Sequence, residues 1–327
     1  MHNELFFADA HSCLPLFGDT DINQLQRHFD AGFRYVSINV GMDFNPLEQI
    51  FTTIAGFRKQ IKNNPDWLML AENYSDIERA FKENKLAISF DLEGSVPLLD
   101  NLDMVALYKQ LGVRQIHLAY NRNNSIAGGA HDPIEQGLTK LGEQVVREIH
   151  SQNILMDLSH NSEKTAFDIC AISQDLQKPV IYSHANPKGV VNHGRNISDE
   201  IIKEVAKTGG LICLNGVGRF VGDENLNPLS LIPHLEYMLN LVSIEKISLG
   251  LDFCYEEKRD DIPNNLKRSF WWPIEAGYGE NGLSGKYIPP EAVLILIEEL
   301  LRRNYPENQI KMIFKNNLLN LIKKVWD

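Results

Sequence analysis

Short apolar runs alternate with amphipathic stretches along almost the whole chain. The runs LFFADAH (5–11), FRYVSINV (33–40), LAISFDLE (86–93), VRQIHLAY (113–120), ILMDLSH (154–160), PVIYSH (179–184), LICLNG (211–216) and ISLGLD (247–252) read as strands. Between them, DINQLQRHFDAG (21–32), YSDIERAFKENK (74–85), LTKLGEQVVREIHSQ (138–152) and SDEIIKEVAKTGG (198–210) place apolar residues three and four apart, the spacing of a helix with one buried face. Strands in alternation with helices predict parallel pairing through right-handed crossovers. Eight such strands are the count of a closed (β/α)8 TIM barrel. A doubly wound open sheet is the alternative, but no G-x-G-x-x-G follows the first strand.

The expected organisation is one domain over residues 1–327. It adds two features to a minimal barrel: a long loop at 253–290, carrying SFWWPIEAGYGENGLSG, and a C-terminal stretch at 290–327 that reads as helices broken at NYPEN. No internal repeat or low-complexity segment interrupts the pattern. At 327 residues with 43% hydrophobic content, the chain can bury a substantial core.

Charge narrows the function. A formal net charge of −11 argues against a sequence-independent nucleic-acid binder and against an anionic membrane surface, both of which require basic patches. No basic-then-apolar leader and no run of eighteen apolar residues is present, so a cytoplasmic protein without membrane insertion is expected. Cys13, Cys170, Cys213 and Cys254 form no C-x-x-C pair, which speaks against a disulfide framework or a zinc knuckle.

The ends of the strands carry the chemistry. Asp9 and His11 close the first run, Glu93 the third, His160 the fifth, His184 the sixth and Asp252 the eighth. Each histidine alone is more often a hydrogen-bonded core or rim residue than a ligand, and Glu93 alone reads as a salt-bridge partner. In a barrel, however, all C-terminal strand ends meet at one face. A coordinated metal is the simplest way to stabilise so many imidazoles and carboxylates together. A bridging carboxylate between two metals would explain ligands arriving in two groups.

In order along roughly residues 6–322, DAHSCLP, FDLEGS, LTKLGEQVVREIHSQNILMDLSH, PVIYSHANPKGVVNHGRN, LGLDF and FKNNLL resemble the membrane (renal) dipeptidase family, zinc metallopeptidases of the amidohydrolase superfamily. The most specific parts are DLSH and SH, and the RN beyond the second histidine. The resemblance implies a zinc-dependent dipeptidase. By it, His11 is a ligand of a first zinc, Glu93 bridges two ions, and His160 and His184 hold the second. Asp252 would pass the proton to the leaving amine, and Arg195 would grip the substrate carboxylate. Dipeptides, including those with a C-terminal D-residue, are the implied substrates, and a homodimer is an assembly the resemblance makes available.

Two departures stand out. The family has aspartate where this chain has Cys13. Either the thiolate ligates zinc and two ions bind, or the first metal is weak or lost and one remains, or Cys13 is only a small buried residue. Tyr120 stands where mammalian members carry a histidine facing the scissile carbonyl; a phenol can also donate to an oxyanion. Asn121 and Asn123 beside it either assist or serve the turn. His131 and His193 read as loop residues and His117 as part of a strand. Trp271 and Trp272 either wall the pocket or cover the rim. Two other functions stay open: a divergent non-peptidase member with a biosynthetic or binding role, and another amidohydrolase activity such as a deacylase or lactonase.

Overall fold

The structure is a computed structural model describing residues 6–256, 259–260, 262–279 and 286–327. Its strands are β1 (Phe7–Cys13), β2 (Phe33–Met42), β3 (Leu68–Leu70), β4 (Leu86–Glu93), β5 (Val113–His117), β6 (Leu155–Asp157), β7 (Val180–Tyr182), β8 (Leu211–Leu214), β9 (Ile247–Leu249) and β10 (Phe253–Cys254). They form a single sheet in the order β10-β1-β2-β4-β5-β6-β7-β8-β9, with β3 paired to β4. Every ladder between them is parallel, as the alternation with helices requires.

The sheet curls into a TIM-barrel-like cup, but the regular closed barrel of eight strands expected from the pattern is not formed. The run ISLGLD does not continue as one strand. Gly250 N–H still donates to Leu214 O on the β8 side, whereas Asp252 N–H donates to His11 O on the β1 side. Asp252 takes a left-handed φ of 54°, which turns the chain from one neighbour to the other and splits the strand into β9 and β10. β3, three residues long, is too short to announce itself by periodicity.

Strand faces toward the helices carry the main core: Val36, Ile38, Ile88, Phe90, Ile116, Met156 and Ile212 pack with helical Ile54, Phe57, Val146, Ile169 and Ile202. The opposite face at the strand starts is lined by small and medium residues, Ala8, Ala10, Ala87, Leu155 and Leu211. It is filled by Leu318, Leu321, Ile322 and Val325 of the C-terminal helix Asn317–Trp326. The expected break at NYPEN is present, with Pro306 ending the turn between Val293–Arg302 and Glu307–Lys311. A wide π turn at Met312–Asn316 then intervenes, where Ser248 Oγ donates to Ile313 O at 2.7 Å. Among the described residues no helix is long and apolar enough to cross a membrane.

Of the long loop 253–290, residues 257–258, 261 and 280–285 lie outside the described residues. The remainder carries a short helix at Arg268–Trp271 and folds over the C-terminal end of the sheet. There Trp272, Tyr278 and Ile262 form an apolar cluster with Tyr120, Val217 and Phe220.

Candidate metal centre

Four strands deliver one cluster. Three imidazole nitrogens surround Glu93 Oε1: His160 Nε2 at 3.0 Å, His11 Nε2 at 3.4 Å and His184 Nε2 at 3.7 Å. All four residues are buried. Cys13 Sγ lies 3.4 Å and Asp252 Oδ1 3.7 Å from the same His11 nitrogen. Donor atoms of His11, Glu93, His117 and His184 fall within 4.8 Å of one another, as do those of His11, Cys13 and Asp252.

Backbone strain accompanies this convergence. His160 (φ 67°), Asn121 (φ 60°) and Asp252 (φ 54°) all occupy the left-handed region, which is costly for residues other than glycine. At the ends of β5, β6 and β9, such turns swing the next side chain over the mouth of the sheet.

Hydrogen bonds settle one tautomer. Asn121 Nδ2 donates to Trp271 O at 3.0 Å, so its Oδ1 faces His160 Nδ1 at 2.9 Å and can only accept. His160 therefore carries a proton on Nδ1, and in its neutral form, which burial favours, it points a bare lone pair at Glu93. Burial, followed by the positive Arg195, pushes His160 well below its ordinary pKa. His184 is likewise pushed well below by burial and by His11; its Nδ1 meets Ser183 Oγ at 2.8 Å, and its Nε2 has no hydrogen-bond partner. For His11, burial alone would lower the pKa, but the carboxylates of Asp91, Glu93 and Asp252 outweigh it and hold it well above. Burial pushes Glu93 up to about 7 and raises Asp252.

The donor set fits a divalent cation. Two lone pairs 3.0 Å apart, from His160 and Glu93, repel unless a proton or a cation lies between them, and His184 Nε2 is a buried nitrogen without a hydrogen-bond partner 3.7 Å from the same carboxylate oxygen.

Above the cluster is a cavity of ≈ 40 Å³ lined by Cys13, Glu93, Asp252, Arg195, Tyr120 and Trp272, among others. That is room for a few waters rather than a dipeptide. Asn215 Nδ2 holds Asp252 Oδ2 at 3.0 Å. Tyr120 stacks on His160 with ring centroids 4.3 Å apart, and its hydroxyl accepts from Trp272 Nε1 at 3.1 Å. Asp43, pushed by burial up to about 6, accepts from Tyr120 N at 2.9 Å. Arg195 is buried, lies over Phe220 and lines the small cavity with Tyr278; it also borders a second cavity of ≈ 240 Å³.

All the residues singled out from the sequence, His11, Cys13, Glu93, Tyr120, His160, His184, Arg195 and Asp252, thus line one site. Trp272 walls it and is 1% exposed, whereas Trp271 is only partly buried beside it. Asn123 serves the turn, its Oδ1 accepting from Gly129 N. His131 and His193 are not free loop residues: they bond Tyr278 OH and Ala276 O and so tie the long loop down.

His117 is part of a strand, as its sequence context predicts, and ends β5 at the same rim as the others. Its Nε2 lies 2.8 Å from Asp157 Oδ2, a pairing that raises His117 despite burial and holds Asp157 at about 2. Asp91, 3.2 Å from His11 Nδ1, is a further residue of the site that strand periodicity could have found, since it lies two residues before Glu93 on the same strand and shares its face.

Comparison with known proteins agrees with this picture. A model of the membrane dipeptidase family (Peptidase family M19) matches residues 8–267. Dipeptidase ataJ of Aspergillus terreus is 25% identical over 96% of this chain and 78% of its own length. An uncharacterized dipeptidase of Schizosaccharomyces pombe, C965.12, is 28% identical over 85% of this chain. The chain spans 62% of the length of that protein and of Dipeptidase aclJ of Aspergillus oryzae. Among solved structures, an amidohydrolase from Pseudomonas aeruginosa superposes with a TM-score of 0.84 at 23% identity, covering 98% of this chain and 96% of its own. A metallo peptidase from Rhodobacter sphaeroides, liganded with a phosphinate mimic of the dipeptide L-Ala-D-Ala, gives 0.77 at 16%, covering 98% and 99%.

Proposed function

The chain belongs to the membrane dipeptidase family, Peptidase family M19, and from that premise we propose that it is a zinc-dependent dipeptidase cleaving the amide bond of dipeptides with a free carboxylate. The observation that carries this reading is the meeting of three imidazole nitrogens on Glu93 Oε1, one of them locked as a lone-pair donor. On this reading His11, Glu93, His160 and His184 hold the metal, two ions binding if Cys13 ligates as a thiolate and one if it does not. A divalent ion there supplies Lewis-acid polarisation of the carbonyl and an acidified water.

The remaining roles belong to the chain. Arg195 meets the substrate carboxylate with its planar two-pronged guanidinium. Tyr120 donates its hydroxyl hydrogen to the oxyanion that develops on the scissile carbonyl, since its oxygen already accepts from Trp272. Asp252, steadied by Asn215, takes the proton of the attacking water and returns it to the leaving amine; burial raises its affinity for that proton.

Elemental analysis of protein purified without chelators, together with a screen of L,L- and L,D-dipeptides, tests the reading. One or two zinc ions per chain and turnover lost on C-terminal amidation are expected. No metal after zinc reconstitution would sink it, and turnover of N-acyl amino acids or lactones in place of dipeptides would move the activity to those substrates.

A further inference from the structure

Two cysteines that no catalytic role requires as a pair face each other at the mouth of the site. Cys13 ends β1, Cys254 ends β10, and the parallel register pairs them directly. Neighbouring strands lie about 4.8 Å apart, inside the roughly 4.4–6.8 Å between Cα atoms that a disulfide spans. Directly paired residues point to the same side, and both cysteines line the cavity above Glu93. Both are free thiols; Cys13 is buried, whereas Cys254 is partly open to solvent. Cys170 and Cys213, by contrast, are buried apart from the cavity.

We propose that Cys13 and Cys254 form a reversible disulfide across the β1–β10 seam, a modification site at the entrance to the candidate metal centre. The accessible Cys254 sulfur attacks a low-molecular-weight disulfide, forming a mixed disulfide and releasing one thiol. Cys13 then attacks the Cys254 sulfur and expels the second thiol. Overall, one external disulfide and two cysteine thiols become one protein disulfide and two small thiols, so atoms and electrons balance. The oxidised pair takes Cys13 Sγ away from His11 Nε2, its neighbour at 3.4 Å. That consequence for metal binding rests on the reading of Cys13 as a ligand; the cross-link itself does not.

The test treats the whole chain with oxidised glutathione, blocks residual thiols and maps tryptic peptides by mass. A linked pair of peptides, residues 1–27 with 247–258, weighing two hydrogens less than their sum and separated by dithiothreitol, is expected in the wild type. The link should be absent in Cys254→Ser, while Cys170 and Cys213 stay reduced. Two free thiols, or separate glutathione adducts on Cys13 and Cys254, would overturn the proposal, and the wild-type result decides it even if the variant misfolds. Metal content measured before and after oxidation reports on the ligand reading separately. A cross-linked protein that keeps its full metal would support the pair while counting against Cys13 as a donor.

Discussion

Two buried histidine–carboxylate groups share β1, and they are built in opposite ways. In the first, Asp9 is fully partnered: His11 N and Leu251 N donate to Oδ1, and Ser12 Oγ and His28 Nε2 meet Oδ2 at 2.7 and 3.0 Å. His28 is closed off by Tyr255 OH at 2.6 Å on its other nitrogen. This group ties β1 to the segment after β9, across the seam where the ladder is interrupted. In the second, Glu93 faces three imidazoles, at least one of which offers a lone pair and no hydrogen. The residue types are the same. What differs is whether each polar atom has found a complement, and the uncomplemented group is the one able to receive a ligand.

The comparison makes opposite demands on mutants of the two groups. His184→Ala should lower dipeptide hydrolysis by about 10³-fold or more, since it removes several kcal/mol of electrostatic stabilisation. Urea denaturation of the metal-free variant should show a smaller loss than that of the His28 variant, because the lost packing and Ser183 bond are offset by deletion of an unpartnered buried nitrogen. Unchanged hydrolysis would take His184 out of the site. His28→Ala should do the reverse and destabilise the fold by about 1–3 kcal/mol, because Asp9 Oδ2 and Tyr255 OH each lose a buried partner. A urea midpoint close to wild type would show that the seam does not depend on this network.

A third histidine sharpens the contrast. His150 is buried against Ser173 Oγ at 2.9 Å, and burial holds it at about 4. Between its ordinary value near 6.5 and 4, the unfolded chain binds the proton and the folded chain does not. Stability should therefore be fully present above about pH 6.5 and fall by roughly 2–3 kcal/mol as the pH drops through that window. His150→Gln should flatten this contribution, as read from urea midpoints at neutral and mildly acidic pH.

Smaller effects probe the rim. Trp272→Phe keeps the aromatic wall but deletes the bond to Tyr120, so kcat should fall about tenfold with KM nearly unchanged. A rise in KM alone would make Trp272 a wall and nothing more. Cys13→Asp should keep or raise zinc occupancy measured by elemental analysis; a fall would mean that position 13 is not a donor.

Much of this site was legible because strand ends mark themselves. A run that stays apolar and then closes on a histidine or a carboxylate places that group at the sheet's rim, whatever the details of packing. His11, Glu93, His160, His184 and Asp252 were readable on that ground, and so in principle was His117. Cys254 was not, and Trp272 was readable only as one of two alternatives, because the place of both depends on how the residues after β9 fold back over the mouth.

Local order along the chain was enough to determine alternation, parallel pairing and which histidines and carboxylates stand at the strand ends, since side-chain periodicity and polarity act over a few residues. Tertiary structure alone decided the rest: that the eighth strand breaks at Asp252, that Asn121 sets the proton on His160, and that Asp9 is satisfied while Glu93 is not. These depend on contacts between residues as far apart as Asp9 and Leu251, and such contacts exist only once the sheet has curled.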